Sequence, residues 1–428
     1  MSAMKFERYA LYKDSSAHWL GEIPSSWKLQ RHKDAFQLIS LRCLNPSYLK
    51  VALENIEGKT GRFISSDSEF DGDGIQFKKN DILFGKLRPY LAKVYLAEFN
   101  GNAIGDIFVY RPKPKVAPLF AAYLMRSDRY IDVVNSSTAG AKMPRASSGF
   151  IADLPVAIPS LAEQTTIAAY LDTKTSQIDR QINLLAQKAT QFRKLKESLI
   201  NETVTRGLEK SMLLKNSGVN WIGEVPNHWE IMRIKELFVE SKLKSVAGDE
   251  DLLSVSEYSG VTLKQDSVGE DEFLTNAESL VGYKLCKKGD LVINIMLAWK
   301  RGLGVSPLSG IVSPSYAVYS PQKDIDPTFF HYRLRNEDAI AEFKRNSTGI
   351  IESRLRLYSD SFFALSIAVP PLAEQIVIAK YLDGKTAQID RIVTAINTQI
   401  NKLKDLRKAL INDVVTGKIK VVSEGAAT

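Results

Sequence analysis

Apolar residues return at every seventh position along two stretches of the chain. In the first, Leu171, Ile178, Leu185, Phe192 and Leu199 keep this spacing, with Ile182 and Ala189 at the companion position. In the second, Leu382, Ile389, Ile396, Leu403 and Leu410 keep it, with Val393 and Ile400 beside them. Lys, Arg, Gln and Asn fill the faces between. This pattern predicts helices with one narrow apolar seam, as in a coiled coil. No Pro or Gly interrupts Leu161 to Arg206, so a single helix is predicted there. At 1.5 Å per residue it spans roughly 65–70 Å. A seam that long exceeds what one domain face needs, so the two helices are expected to pair with each other, antiparallel.

The stretches preceding each helix read differently. "YLKVALENIEGKTGRF", "DILFGKLRPYLAKVYLAEF" and "AIGDIFVYRPKP" are short β-prone runs broken by Gly, Asn and Pro. "LFAAYLMRSDRYIDVVN" reads as a helix with a basic face. The same order returns in "DLVINIMLAWKRGLGVS", "GIVSPSYAVYSP" and "TFFHYRLRNEDAIAEFKRN". Two mixed α/β domains of about 130 residues are expected, an ordinary domain size.

The order returns because the chain is written twice. "WLGEIPSSW" (Trp19 to Trp27) recurs as "WIGEVPNHW" (Trp221 to Trp229). "PSLAEQTTIAAYLDTKTSQIDRQI" from Pro159 recurs as "PPLAEQIVIAKYLDGKTAQIDRIV" from Pro370. The offsets are 202 and 211, so the intervening parts differ in length. A unit this long is a duplicated domain plus helix, not a solenoid repeat. "KKNDILFGKL" aligns with "KKGDLVINIM", with Asn80 where the second copy has Gly289. That difference weakens the assignment of a turn there.

Composition narrows the partners. The net charge is +8, with a sequence pI near 9.1, which suits a polyanion. Two distant cysteines, Cys43 and Cys286, and four scattered histidines argue against a disulfide framework or zinc site and favour a reducing compartment. The start is polar and no run of eighteen apolar residues occurs, so a soluble, cytoplasmic protein is expected.

Catalytic motifs fail one by one. "GKT" at Gly58 and at Gly384 lacks the earlier glycine of a phosphate loop, because Leu53 and Ala379 stand there. The first reads as a turn and the second as helix surface. "NPSY" (Asn45 to Tyr48) lacks the second proline of an amino-methyltransferase motif and reads as a turn entering a strand. Asp172 with Lys174, and Asp383 with Lys385, sit on the helices without a strand-borne acid and read as solvated charges. No convergent acid and base set remains, so no catalysis is expected of the chain itself.

Each predicted domain does place cations beside aromatics on loops. The first offers Lys86, Arg88, Tyr90 and Lys93 in "GKLRPYLAK", with Lys142 and Arg145 in "STAGAKMPRASSG". The second offers Trp299, Lys300 and Arg301 in "WKRGLG", with Arg354 and Arg356 in "STGIIESRLR". Lys and Arg neutralise phosphates, and Arg also reads base edges. Two diverged modules on a rigid spacer would read two separated half-sites, for which one DNA turn requires about 34 Å.

The repeated "YKDSSAHWLGEIPSSW…LAEQ…YLDTKTSQID" text, covering nearly the whole chain, resembles the specificity subunit of a type I restriction–modification enzyme. That resemblance implies an α/β (α+β) architecture with an internal pseudo-twofold repeat, in which two target recognition domains are separated by two long antiparallel helices. Its implied organisation is an N-terminal segment (1–28), recognition domain one (29–158), a central helix (159–208), a linker (209–230), recognition domain two (231–369), a second helix (370–421) and a disordered tail (422–428). It further implies a bipartite, asymmetric duplex DNA target and docking of two methyltransferase subunits, which carry S-adenosylmethionine. Motor-nuclease restriction subunits, which use ATP and Mg, would then join. No cofactor is implied on this chain, and no membrane. Glu163, Gln164, Asp172, Asp179 and their copies Glu374, Gln375, Asp383 and Asp390 are expected to cap, cross-link or dock the helices. Two other readings use the same residues: a two-headed protein-binding scaffold and a self-contained adenine methyltransferase.

Overall fold

In a computed structural model of the chain, the described residues are 7–43, 45, 47–66, 72, 74–138, 142–267 and 279–421. The tail expected over 422–428 lies outside them. The chain forms two compact units, residues 1–186 with 397–428, and residues 187–396. The boundaries fall inside the two long helices, Leu161–Arg206 and Leu372–Val415, so each unit holds a segment of both.

Both units contain the same four-stranded antiparallel sheet. In the first the order is Phe36–Ile39, Ile107–Pro112, Ile82–Gly85, Val94–Leu96. In the second it is Phe238–Glu240, Tyr316–Pro321, Leu291–Asn294, Leu303–Val305. Their central strands read "ILFG" and "LVIN" and are buried on both faces, which accounts for apolar runs without alternation. Accessory strands differ. The first unit pairs Lys50–Val51 parallel to Gly101–Ala103, whereas the second forms a hairpin, Leu253–Ser256 with Gly260–Leu263. The turn at Asn80 survives the loss of glycine: Asn80 has φ 73° and Gly289 φ 93°. Asn tolerates the left-handed region better than most residues. The carboxylate that follows, Asp81 or Asp290, accepts the backbone N–H of Lys78 or Lys287 at 2.8 Å.

The segment expected to be one helix with a basic face is two helices, Pro118–Arg126 and Asp128–Ser136. Ser127 breaks it with extended backbone (ψ 142°). Its counterpart also splits, into Pro327–Leu334 and Glu337–Arg345. The basic face does not form either. Arg333 is wholly buried against the Trp221 ring at 4.9 Å, and Arg126 donates to the Thr60 carbonyl. Arg126 thus supplies a donor to a loop carbonyl, whereas Arg333 donates to the Asn336 side chain at 3.1 Å.

Around the first sheet, Phe120, Leu124, Tyr130, Leu171 and Ile178 share a core with Leu410, Ile411, Val414 and Val415. In the second unit Phe329, Phe330, Ile378 and Leu382 share a core with Val204, with Leu199 and Ile200 packed against it. Each fully buried aliphatic side chain stabilises by about 1.5–3 kcal/mol, so each domain is fused to segments of both helices. Along the seams, Leu171, Ile178, Leu382, Ile389, Ile396 and Leu410 are buried, while Leu185, Phe192, Leu199 and Leu403 are half-buried. The second long helix stops at Val415, short of the expected 421. Gly417 (φ 75°) ends it, as Gly207 (φ 76°) follows the end of the first.

Candidate functional site

Three constellations stand out among the described residues: one at the roots of the long helices, and one loop surface on each domain.

At the roots, the twice-written motifs meet. The Trp27 indole donates to Glu163 at 3.1 Å, and the Trp229 indole donates to both oxygens of Glu374 at 3.2 Å. Both rings are buried. The neighbouring glutamine is also buried and spans the junction. Gln164 donates to Pro159 O and accepts from Ala117 N–H; Gln375 donates to Pro370 O and accepts from Asp326 N–H. Two to three turns on, the Tyr123 hydroxyl lies 3.1 Å from Thr175 Oγ1 and donates to Asp172 at 3.5 Å. Tyr332 repeats this with Thr386 at 3.1 Å and Asp383 at 2.9 Å. Burial and the Asp383 carboxylate push the Tyr332 hydroxyl up to about 12. Asp172 and Asp383, expected as solvated charges, therefore act as acceptors.

Two further acids tie helix to helix. Asp179 pairs with Arg407 at 3.2 Å and with Arg62 at 2.8 Å, while Asp390 pairs with Lys196 at 2.7 Å. Arg407 is nearly buried and donates to Lys59 O at 3.2 Å. Both cations paired with Asp179 belong to the same chain.

On the first domain, Lys86 and Arg145 converge on Asp106, at 3.6 Å and 3.1 Å. Arg145 hydrogen bonds, with Lys86 adding to them, hold the Asp106 carboxyl below the usual carboxylate range. A short β-bridge between Leu87 and Arg145 joins the two basic loops, through Arg88 N–H to Pro144 O and Ala146 N–H to Lys86 O, both 2.8 Å. Arg88 (φ 52°) and Tyr90 are exposed on the turn, and Lys142 is exposed beside them. Lys93 does not join the group. Its ammonium is half-buried and donates to Leu53 O at 2.6 Å, so it closes a loop.

On the second domain, Trp299 is fixed by its indole N–H to Met296 O at 3.0 Å. Lys300 and Lys344 flank its ring at 4.8 and 5.3 Å. Arg301 lies 3.7 Å from Glu337 and 3.9 Å from Glu197. Arg354 and Arg356 belong to a loop closed by paired backbone bonds between Thr348 and Arg356, both 2.9 Å. Arg354 is exposed and Arg356 half-buried.

Reading the sequence had passed over Arg335. Its guanidinium donates to the carbonyls of Arg301 (2.8 Å), Leu303, Glu257 (2.9 Å) and Tyr258 (3.1 Å). Burial, with Arg301 nearby, lowers it to about 10. Its counterpart is Arg126, so "YLMR" and "YRLR" carried the signal in the repeat. Asp106 and Lys344 were also missed, because neither lies near its partners in sequence. Among the described residues no group of three or more His, Cys, Asp or Glu could hold a metal ion. Among the described residues no helix is long and apolar enough to cross a membrane.

Comparison with known proteins places these features. Residues 47–188 match the type I restriction modification DNA specificity domain. The type I restriction enzyme MjaVIII specificity subunit of Methanocaldococcus jannaschii is 24% identical, over 93% of this chain and 94% of its own length. The EcoDI specificity subunit of Escherichia coli is 20% identical over 93% and 90%. Among solved structures, one described under complex assembly and conformational transition of the type I R-M system has TM-score 0.69 and 18% identity, covering 92% of this chain and 98% of that one. The HsdS subunit from Thermoanaerobacter tengcongensis has TM-score 0.56 and 18% identity, over 93% and 98%. Residues 47–188 thus match the type I restriction modification DNA specificity domain, and over nearly its whole length the chain is similar to type I specificity subunits and shares the fold of these solved structures.

Proposed function

We propose that this chain selects the DNA target of a type I complex by reading a bipartite, asymmetric site, one recognition domain per half-site. Specificity subunits are non-catalytic, so methyl transfer and cleavage fall to partner chains. The observation that carries the reading is the pair of matched loop surfaces. Each sits on an α/β domain with the same sheet order, and each gathers cations and an exposed or half-exposed aromatic on fixed turns. Different side chains on the same frame suit different half-sites. Lys86, Arg88, Tyr90, Lys142 and Arg145 contact the first half-site; Trp299, Lys300, Arg301, Arg354 and Arg356 contact the second. Lys93 contributes by shaping its loop. The domains run over 29–158 and 231–369, with the long helices as spacer and as docking surface for two methyltransferase subunits. S-adenosylmethionine belongs to those subunits, and ATP with Mg to the restriction subunits. The complex works on DNA in the cytoplasm.

The test is the adenine-methylation pattern of a host lacking its own methylation, given this chain with its modification subunit. A single asymmetric two-part motif with an unspecified gap is expected. A stable complex that adds no methylation, from a chain without salt-dependent DNA affinity, would replace DNA reading with a scaffold role.

A further inference from the structure

Ile350 and Ile351 stand in the open on the second domain. Ile350 is 101% exposed and Ile351 53%. Large aliphatic side chains scattered singly on surfaces need no explanation, but two adjacent ones at the tip of a built loop do. The loop is held at three places. Thr348 and Arg356 exchange backbone hydrogen bonds at its neck, Leu357 N–H reaches Ile295 O at 2.9 Å, and Glu352 pairs with Lys344 at 2.6 Å. Lys344 in turn lies over the Trp299 ring. The apolar tip is therefore presented by a fixed frame and surrounded by Lys300, Lys344, Arg354 and Arg356, with Glu352 as the nearby acid already paired.

We infer that Ile350 and Ile351 are specificity-determining residues that pack against the thymine C5-methyl in the major groove of the second half-site. Cations around the tip hold the phosphates, while the aliphatic groups lose water only where a methyl meets them. A cytosine or a uracil at that position offers no methyl. This inference rests on the DNA-reading function proposed above.

The full chain is co-expressed with its modification subunit in a host lacking adenine methylation, as wild type and as Ile350→Ser with Ile351→Ser. The variant motif is expected to become degenerate at one thymine-containing position of one half-site, the other half-site staying intact. The purified complex is then titrated with duplexes carrying thymine or deoxyuridine at that position. Wild type should bind deoxyuridine about ten-fold more weakly, and the variant should bind both alike. An unchanged motif at full methylation would overturn the inference. So would loss of both half-sites together with loss of the modification subunit on purification, which would make the tip a protein-docking surface. A wild type that adds no methylation would instead overturn the underlying DNA-reading function.

Discussion

His32 is a neutral ring sealed among aromatics. It lies 4.4 Å from the Phe36 ring, 4.8 Å from Tyr110 and 6.1 Å from Tyr130, and its Nε2 has no hydrogen-bond partner among the described residues. Burial lowers it to about 3 from 6.5. The unfolded chain therefore takes up a proton between those values that the folded chain does not. Stability from the neutral ring is whole above pH 6.5 and is lost as pH falls toward 3, at up to about 1.4 kcal/mol per unit. His331, lowered to about 4 by burial, adds a parallel loss over a narrower range. The repeat supplies the control, since Ile234 occupies the same place in the second copy, its N–H bonded to Leu365 O as His32 N–H is to Leu154 O. His32→Ile should reduce the slope of unfolding free energy between pH 4.5 and 5.5 by close to one proton, measured by urea titration. An unchanged slope would mean that the folded ring is protonated already. At the loop surface the residue-scale prediction concerns Arg145. Arg145→Ala frees Asp106 and removes one reader, so discrimination at one position of the first half-site should fall by about 1–3 kcal/mol. Methylation mapping should show the second half-site unaltered; equal weakening of both would refute one domain per half-site.

At the scale of elements, the roots of the long helices depend on an indole and a carboxylate brought together from distant text. Trp229 and Glu374 are joined in a buried place, with His228 Nε2 2.6 Å from the same carboxylate. Trp229→Phe keeps most of the ring and deletes the donor, which should cost about 1–3 kcal/mol of unfolding free energy. Glu374→Gln keeps an acceptor and should cost less, an order that urea unfolding of the two variants checks. The helices themselves were legible because a seven-residue apolar repeat and an unbroken run from Leu161 to Arg206 leave few alternatives. The split at Ser127 was not, because nothing in "MRSDRY" forbids helix. It breaks where the Ser127 hydroxyl takes the Leu124 carbonyl at 2.7 Å and Arg126 turns inward to Thr60. The loop positions of Arg145 and Trp299 were legible as composition and spacing. Asp106, Lys344 and Arg335 were not, because their partners are set by strand pairing rather than by neighbouring sequence. Lys93 misled for a related reason: a lysine in a basic run reads as surface until a buried carbonyl, here that of Leu53, lies within its reach.

On the scale of the whole chain, the two copies differ in how they are closed. In the second unit the path from Gly207 to the strand Leu214–Asn216 and its partner Glu224–Pro226 is continuous. In the first, the equivalent pair Tyr12–Asp14 and Glu22–Pro24 is reached from one direction, and the path from Gly417 arrives from the other. The two meet where Lys420 N–H donates to Glu7 O at 2.9 Å and the Lys418 ammonium donates to Glu22 O. Noncovalent pairing thus does in the first unit what the backbone does in the second. If the repeat is a frame that needs only these contacts, the order in which the backbone visits them is incidental. A circular permutant that joins Val421 to Glu7 through residues 422–428 and 1–6, and opens between Glu209 and Lys210, should fold. Both residues at the new break are exposed, so no buried backbone group loses a partner there. Closing a connector of this length costs little, because loop entropy grows only with the logarithm of length. The permutant is expected to keep the wild-type midpoint of urea unfolding to within about 1 kcal/mol and to direct methylation to the same two-part motif. A permutant that fails to fold would show that continuity at Gly207 to Leu214 is required by the second unit. One that folds yet shifts the motif would show that the break helps set which half-sites are read.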